Sequence, residues 1–176
     1  MSQSDTELPE SVSTSSPPLS IRQAVAGDYQ RIVDLDAETS SVSKPDYWRE
    51  IFALYVSGED AQRYLLVADL AGKTVGFALG EVRAWEFGSP PAGWIFAIGV
   101  DPESRQIGIG THLFKAISKE IRASGVKVVR TMLARDDNLN MSFFRSHGMT
   151  GGSFIQLEMP LDQNGDETEA ERAEAT

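Results

Sequence analysis

Two glycines, set where a polar loop turns into a helix, are the residues in this chain best suited to chemistry. They lie in the stretch Val100-Asp101-Pro102-Glu103-Ser104-Arg105-Gln106-Ile107-Gly108-Ile109-Gly110-Thr111-His112-Leu113. An apolar run enters a polar loop containing Pro102, and the glycines then open an amphipathic pattern. A helix start collects backbone N–H groups with no intrahelical acceptor, and the helix dipole adds positive potential there. Gly108 and Gly110 lack side chains, so an anion can come close to the main chain. The chemistry this suits is the holding of a phosphate or diphosphate.

Three phosphate-binding patterns can be set against these residues. A Walker A loop requires Lys-Ser/Thr after its second glycine, whereas Gly110 is followed by Thr111-His112. A dinucleotide fingerprint requires a third glycine or alanine and an immediate start after the strand. Here Leu113 stands at that position, and the glycines begin well beyond Val100. The third pattern, R/Q-x-x-G-x-G/A, is met by Arg105-Gln106-Ile107-Gly108-Ile109-Gly110.

That pattern, between an apolar strand and a helix, resembles the diphosphate-binding motif of the GNAT acetyltransferases, and the likeness runs over residues 19–161. The resemblance implies acetyl-CoA as acyl donor. Its diphosphate would rest on backbone amides of Arg105, Gln106, Ile107, Gly108, Ile109, Gly110 and Thr111. The preceding strand, with Ile98 and Val100, would run beside the pantetheine arm, and its splayed end would polarise the acetyl carbonyl through a main-chain N–H. A second family-like segment, Asn138 to Met149, would place Asn138 or Asn140 at a helix start within reach of the pantetheine. It would also place Phe144 where the family often carries the tyrosine that protonates the departing thiolate. Phe144 has no hydroxyl, so that proton must come from water, another residue or the substrate ammonium.

Acylating an amine needs a base, direct or through water, to free the nitrogen lone pair. The run Trp94–Val100, where the resembled family often has its glutamate, contains no acid. Glu81, inside the preceding strand, is the first base candidate and Glu86 the second. Tyr47, Trp48 and Trp85 are candidate walls of an acceptor site, since aromatic faces and acids suit a cation. Glu81 could equally be a solvent-facing strand residue, and Trp48 and Trp85 could be core. His112 and His147 have no partner at triad or metal spacing, and the chain contains no cysteine, so no metal site is expected.

The elements that must position these groups can be read from periodicity and punctuation. A first strand is expected over Leu19–Ala24, a helix after Gly27-Asp28, and a second helix from Ser43-Lys44-Pro45-Asp46 to about Gly58. Strands follow at Tyr64–Asp69, Thr74–Trp85 and Trp94–Val100, with Ala71-Gly72-Lys73 as a hairpin turn. A helix over Ile107–Ser124, a strand over Val126–Leu133, a helix over Asn138–His147 and a final strand over Ser153–Leu161 complete the order βααβββαβαβ. This is an α/β arrangement, a mixed sheet with helices on both faces.

The chain has 176 residues and a net charge of −10. The acidity is concentrated at the ends, with −3 over residues 1–20, −5 over 162–176 and only −2 between. Segments 1–18 and 162–176 are therefore expected to be disordered, flanking one domain at 19–161. A nearly balanced middle argues against nucleic acid as a partner. With no long apolar run and no basic leader, no membrane partner is expected and a cytoplasmic location is the default. The family resemblance is compatible with a homodimer. Two rival readings stand beside the amine acetyltransferase: a non-catalytic acyl-CoA sensor or interaction module on the same scaffold, and a nucleotide-binding regulator.

Overall fold

A computed structural model of the chain describes residues 18–84 and 88–161, without the side chains of Arg105 and Gln106. The terminal segments expected to be disordered lie outside the described residues, apart from Pro18. The chain divides into two compact units, one ending at Met132 and one starting at Leu133.

The first unit holds a five-stranded sheet in the order β1-β2-β3-β4-β5. Its strands are β1 Leu19–Gln23, β2 Arg63–Leu70, β3 Lys73–Arg83, β4 Ala92–Val100 and β5 Val129–Arg130. The first three pairings are antiparallel, and β4 runs parallel to β5, so the sheet is mixed. The β2–β3 turn is tight because Ala71 and Gly72 both take positive φ, 53° and 82°, the combination a two-residue hairpin turn requires. Asp69 fixes it by accepting the Gly72 N–H at 2.7 Å.

Helices α1 (Tyr29–Ser40) and α2 (Pro45–Tyr55) cover one face of the sheet. Ile32, Val33, Leu35, Trp48, Ile51 and Phe52 pack there with Leu65, Val67, Phe77 and Leu79. Trp48 anchors this layer. Its ring meets Phe77 edge-on at 5.1 Å, and its Nε1 donates to Asp36 at 2.9 Å. Helix α3 (Ile109–Ala123) covers the opposite face, burying Ile109, Leu113, Ile117 and Ile121 at four-residue intervals. Glycines admit it closely. A Cβ on Gly76 would meet Leu113 and Ile109, one on Gly80 would meet Ile117, and one on Gly93 would lie 2.1 Å from Ile121 Cγ2.

In the second unit, helix α4 spans Asn138–Ser146. The expected strand at Ser153–Leu161 does not form. Residues there have no regular structure, and Phe154, Ile155, Leu157, Met159 and Leu161 are all exposed. Periodicity describes the spacing of side chains, whereas a strand exists only where a neighbour takes its hydrogen bonds. The expected strand Val126–Leu133 likewise shrinks to Val129–Arg130, because the ladder to β4 has only two rungs, Gly93↔Val129 and Trp94↔Arg130.

Candidate active site

The glycine loop is built as its sequence suggests. After β4 the chain makes a 3-10 turn over Pro102–Ile107, then Gly108 enters the left-handed region at φ 74° and ψ 18°. That conformation is costly for residues with a Cβ, which explains the glycine. Gly108 is the N-cap of α3 and provides no side-chain cap. Helix geometry leaves the amides of Ile109 and Gly110 without intrahelical acceptors. Among the described residues the space beside Gly108 is open, since an added Cβ would have His112 Nδ1, at 4.0 Å, as its neighbour. His112 is exposed, and its Nδ1 lies 3.0 Å from the Gly108 carbonyl oxygen. These features fit a diphosphate: backbone amides at a helix start, a positive helix end and, among the described residues, open space beside Gly108.

Asp101 holds the entrance of this loop. It is 4% exposed and accepts from the Glu103 amide at 3.0 Å and from Arg31 Nη2 at 2.7 Å, with Lys73 Nζ at 3.5 Å. Burial pushes its carboxyl upward, but the amide and the two cations outweigh burial and hold it below the usual carboxylate range. Asp101 belongs to the quoted motif, yet its partner Arg31 lies 70 positions away, so sequence spacing could not reveal the pair.

Strand β4 carries an irregularity where the donor arm is expected. Its register with β3 passes from Leu79↔Ala97 to Gly80↔Ile95, so Phe96 has no partner and forms a bulge. On the other edge, β5 pairs as far as Trp94, and Thr131 Oγ1 donates to the Ile95 carbonyl at 2.9 Å. Beyond that point no strand flanks β4 among the described residues of this unit. Ile98 and Val100 therefore stand on a strand with one ladder edge unpaired by the described strands of this unit, and both are partly exposed. A free ladder edge offers N–H and C=O groups to an extended guest.

Glu81 lies on the α1/α2 face at the far end of β3. Its Oε2 accepts from the Tyr55 hydroxyl at 2.6 Å and its Oε1 from Arg83 Nε at 2.8 Å, with Arg63 Nε at 3.7 Å. Burial raises its pKa, but Tyr55, Arg83 and Arg63 outweigh burial and hold it below the ordinary glutamate value. The same contact, together with burial, pushes the Tyr55 phenol upward. Tyr47 is 43% exposed on the same helix as Tyr55, and its phenol is raised by burial and by the nearby charges of Asp36 and Glu81. Trp48, expected as an acceptor wall, is 1% exposed and is a core residue that backs Tyr47, with ring centroids 5.4 Å apart. Trp85 and Glu86 lie outside the described residues. Tyr55 went unrecognised in the sequence, although its position two helical turns after Tyr47 was a usable signal.

In α4 the N-cap is Asp137, not an asparagine. Its carboxylate accepts from the Asn140 amide at 3.1 Å and from Asn140 Nδ2 at 2.7 Å. Asn138 is exposed, and Asn140's side chain is occupied by this cap. Phe144 is buried at 7% exposure and meets Phe143 edge-on at 5.2 Å. His147 closes the helix, its Nδ1 2.8 Å from the Phe143 carbonyl oxygen, before Gly148 at φ 87°. Among the described residues, no group of three or more acidic or imidazole side chains could hold a metal ion.

The site thus joins a mixed sheet, a bulged strand and a helix entered through a glycine. Residues 29–149 match the Acetyltransferase (GNAT) family, and the chain belongs to it. It is similar to a mycothiol acetyltransferase from Arthrobacter sp., 30% identical over 91 residues, which are 52% of this chain and 28% of that protein. It is also similar to an L-2,4-diaminobutyric acid acetyltransferase from Nocardia farcinica, 28% identical over 97 residues, 55% and 49% of the two chains. The chain thus spans half or less of the length of these curated relatives. An aminoglycoside N-acetyltransferase solved with CoA shares the fold, with a TM-score of 0.71 at 16% identity, covering 86% of this chain and all of that one. No described helix is long and apolar enough to cross a membrane.

Proposed function

We propose that this protein is an N-acetyltransferase that moves the acetyl group of acetyl-CoA directly to a primary amine. The observation that carries the reading is the N-terminus of α3, entered through left-handed Gly108 without a side-chain cap, after a strand that no described strand of this unit flanks beyond Trp94. The amides of residues 105–111 would hold the diphosphate, and the free edge of β4 near Ile98 and Val100 would take the pantetheine. A main-chain N–H at the bulge would stabilise the oxyanion. The neutral amine attacks the thioester carbonyl, an N–C bond forms, the C–S bond breaks, and the thiolate leaves to take up a proton. The relatives named above act, by name, on small molecules, which supports a small-molecule acceptor.

Glu81 would stay ionised at neutral pH. With both oxygens hydrogen-bonded and its pKa depressed, it is a weak base by itself. It serves better by ordering a water that takes the ammonium proton. Phe144 has no proton to give, so the thiolate is protonated by water or by the proton released from the amine.

A second reading, an acyl-CoA sensor without turnover, is favoured by Phe144, by the acid-free β4 and by the occupied oxygens of Glu81. Thermal shift with CoA, ATP and NAD, followed by thiol release with a panel of amines, tests both readings. The transferase reading expects stabilisation by CoA alone and release of thiol with at least one amine. CoA binding without release on any amine leaves the sensor, and stabilisation by ATP or NAD but not CoA removes both.

A further inference from the structure

A base that takes a proton in an ordered site must be held still, and Glu81 is held from a helix as well as from its own strand. The Tyr55 hydroxyl, on α2, donates to Glu81 Oε2 at 2.6 Å across 26 positions of sequence. Arg83 Nε donates to Oε1 at 2.8 Å, while Arg63 Nε, 3.7 Å from Oε2, is too far for a hydrogen bond. The Arg63 guanidinium lies 5.8 Å from the Tyr55 ring centroid and so braces the ring as well as the acid. Tyr55 is partly buried and packs on the same apolar cluster as Ala97, the residue of β4 that pairs with Leu79 beside the bulge. Leu79 and Glu81 are two positions apart on β3, so they share a face, and the carboxylate stands roughly 7 Å along the strand from the bulge. An attacking nitrogen about 3 Å from a thioester carbon, followed by one water, fills such a span. An ionised carboxylate has about four acceptor sites, and Tyr55 and Arg83 use two, which leaves sites for that water. The Tyr55 hydroxyl has one proton and gives it to this bond. Burial and the Glu81 contact push its phenol upward, which opposes donation to a thiolate.

We propose that Tyr55 is a positioning residue for proton removal from the acceptor amine: by holding Glu81 Oε2 it fixes the carboxylate one strand step from the bulge and leaves its remaining lone pairs to a water. The inference deepens the transferase reading and rests on it, since the thioester is taken to sit at the β4 bulge. The water passes one proton to Glu81 as it takes one from the ammonium, the freed nitrogen lone pair attacks the carbonyl, and Glu81 then returns its proton to solvent. Tyr55 keeps its own proton throughout, so it does not take the place of the hydroxyl that Phe144 lacks.

The experiment removes the hydroxyl and keeps the ring. Glu81 is faced by Tyr55 and Tyr47 of α2, by Arg63 of β2 with its partner Asp60, and by Arg83 of β3, and Arg130 of β5 lies across Trp94 from it. Tyr55→Phe alters the first of these alone. In the full chain the Glu81 carboxyl is titrated by NMR, its signal assigned by its loss in Glu81→Gln. Acetyl transfer to putrescine, L-lysine and glucosamine is followed across pH in the same proteins. The Tyr55 hydrogen bond lowers the Glu81 pKa, so its removal should raise the carboxyl titration and carry the acid limb of kcat/KM upward with it. The kcat should fall roughly tenfold, part of the roughly 10²–10⁴ that a placed base supplies, with KM held within about twofold. In the Glu81→Gln background the same change should have no further effect, because the two groups act as one. A merely structural tyrosine gives additive losses and an acid limb that stays in place, and either result overturns the proposal. Transfer that proceeds while the carboxyl titration is unmoved in Tyr55→Phe sinks the proposal alone. If the unaltered chain acetylates none of the three amines, the transferase reading falls and takes the proposal with it.

Discussion

At the level of single residues, Gly108 makes the sharpest demand on the chain. Gly108→Glu places a carboxylate in the proposed anion seat and forces a Cβ into φ 74°, a backbone cost of roughly 1–2 kcal/mol. Loss of the CoA-induced thermal shift is expected with the fold intact; unchanged CoA affinity would remove the loop from the site. Glu81 offers a pH test. Its folded pKa lies below the ordinary 4.5, so any acid limb it imposes on kcat/KM falls in or below the carboxylate range rather than near neutrality. Glu81→Gln should abolish that limb and lower kcat more than it raises KM, read from pH–rate profiles. A limb that persists in the variant dismisses Glu81 as the proton-ordering group. The backbone of the loop before α3 was legible in the sequence because glycine placement dictates backbone shape locally. The Tyr55–Glu81 and Arg31–Asp101 contacts were not, because they join residues 26 and 70 positions apart through tertiary packing. The actual α4 cap, Asp137, precedes the expected Asn138 or Asn140 by one or three positions, since Asp and Asn are both good caps and only the backbone angles choose among them.

At the level of elements, the close seating of α3 on the sheet decides where the loop points. Gly93→Ala puts a methyl 2.1 Å from Ile121 Cγ2, in a packed layer where Ile121 is 2% exposed. Overpacking of this kind costs about 1–3 kcal/mol. Denaturant titration should show that loss, and the displaced helix should weaken CoA binding as well; a neutral result would mean the layer is looser than its geometry. Most elements were readable because their apolar periods match their burial, as in α3 with buried residues every fourth position. The two failures, at 126–133 and 153–161, share a cause. Both sequences have strand-like side chains, but a strand needs a pairing partner: β5 has two rungs to β4, and residues 153–161 have no regular structure. Trp48 was read as an acceptor wall because aromatic residues on an amphipathic helix look alike from sequence, whether they face a ligand or a core.

At the level of the whole molecule, ion pairs join elements that the sheet alone does not. Asp28 accepts from Arg22 at 2.7 and 2.9 Å, from the Val25 amide at 2.8 Å and from Thr74 Oγ1 at 3.1 Å, tying β1, the start of α1 and β3. The Arg22 hydrogen bonds, against burial, hold its carboxyl below the ordinary 3.8. The unfolded chain then takes up the proton more readily than the folded one. The stabilisation is complete above the ordinary carboxylate range and drains away as acid titrates through the lower folded value. Unfolding free energy should fall as pH drops below about 4, and Asp28→Asn should flatten that fall. An equally steep decline in the variant would assign acid sensitivity elsewhere.

Arg31 makes one further link, from α1 to the Thr74 carbonyl at 3.2 Å, to Glu38 at 3.1 Å and to buried Asp101 at 2.7 Å. One guanidinium thus clasps α1 to the turn that leads into the proposed diphosphate loop. Loading the donor should quieten that helix at a distance. Amide deuterium uptake across residues 29–40 should slow once CoA is added, and Arg31→Met should erase the slowing while leaving the protection of 109–112 in place.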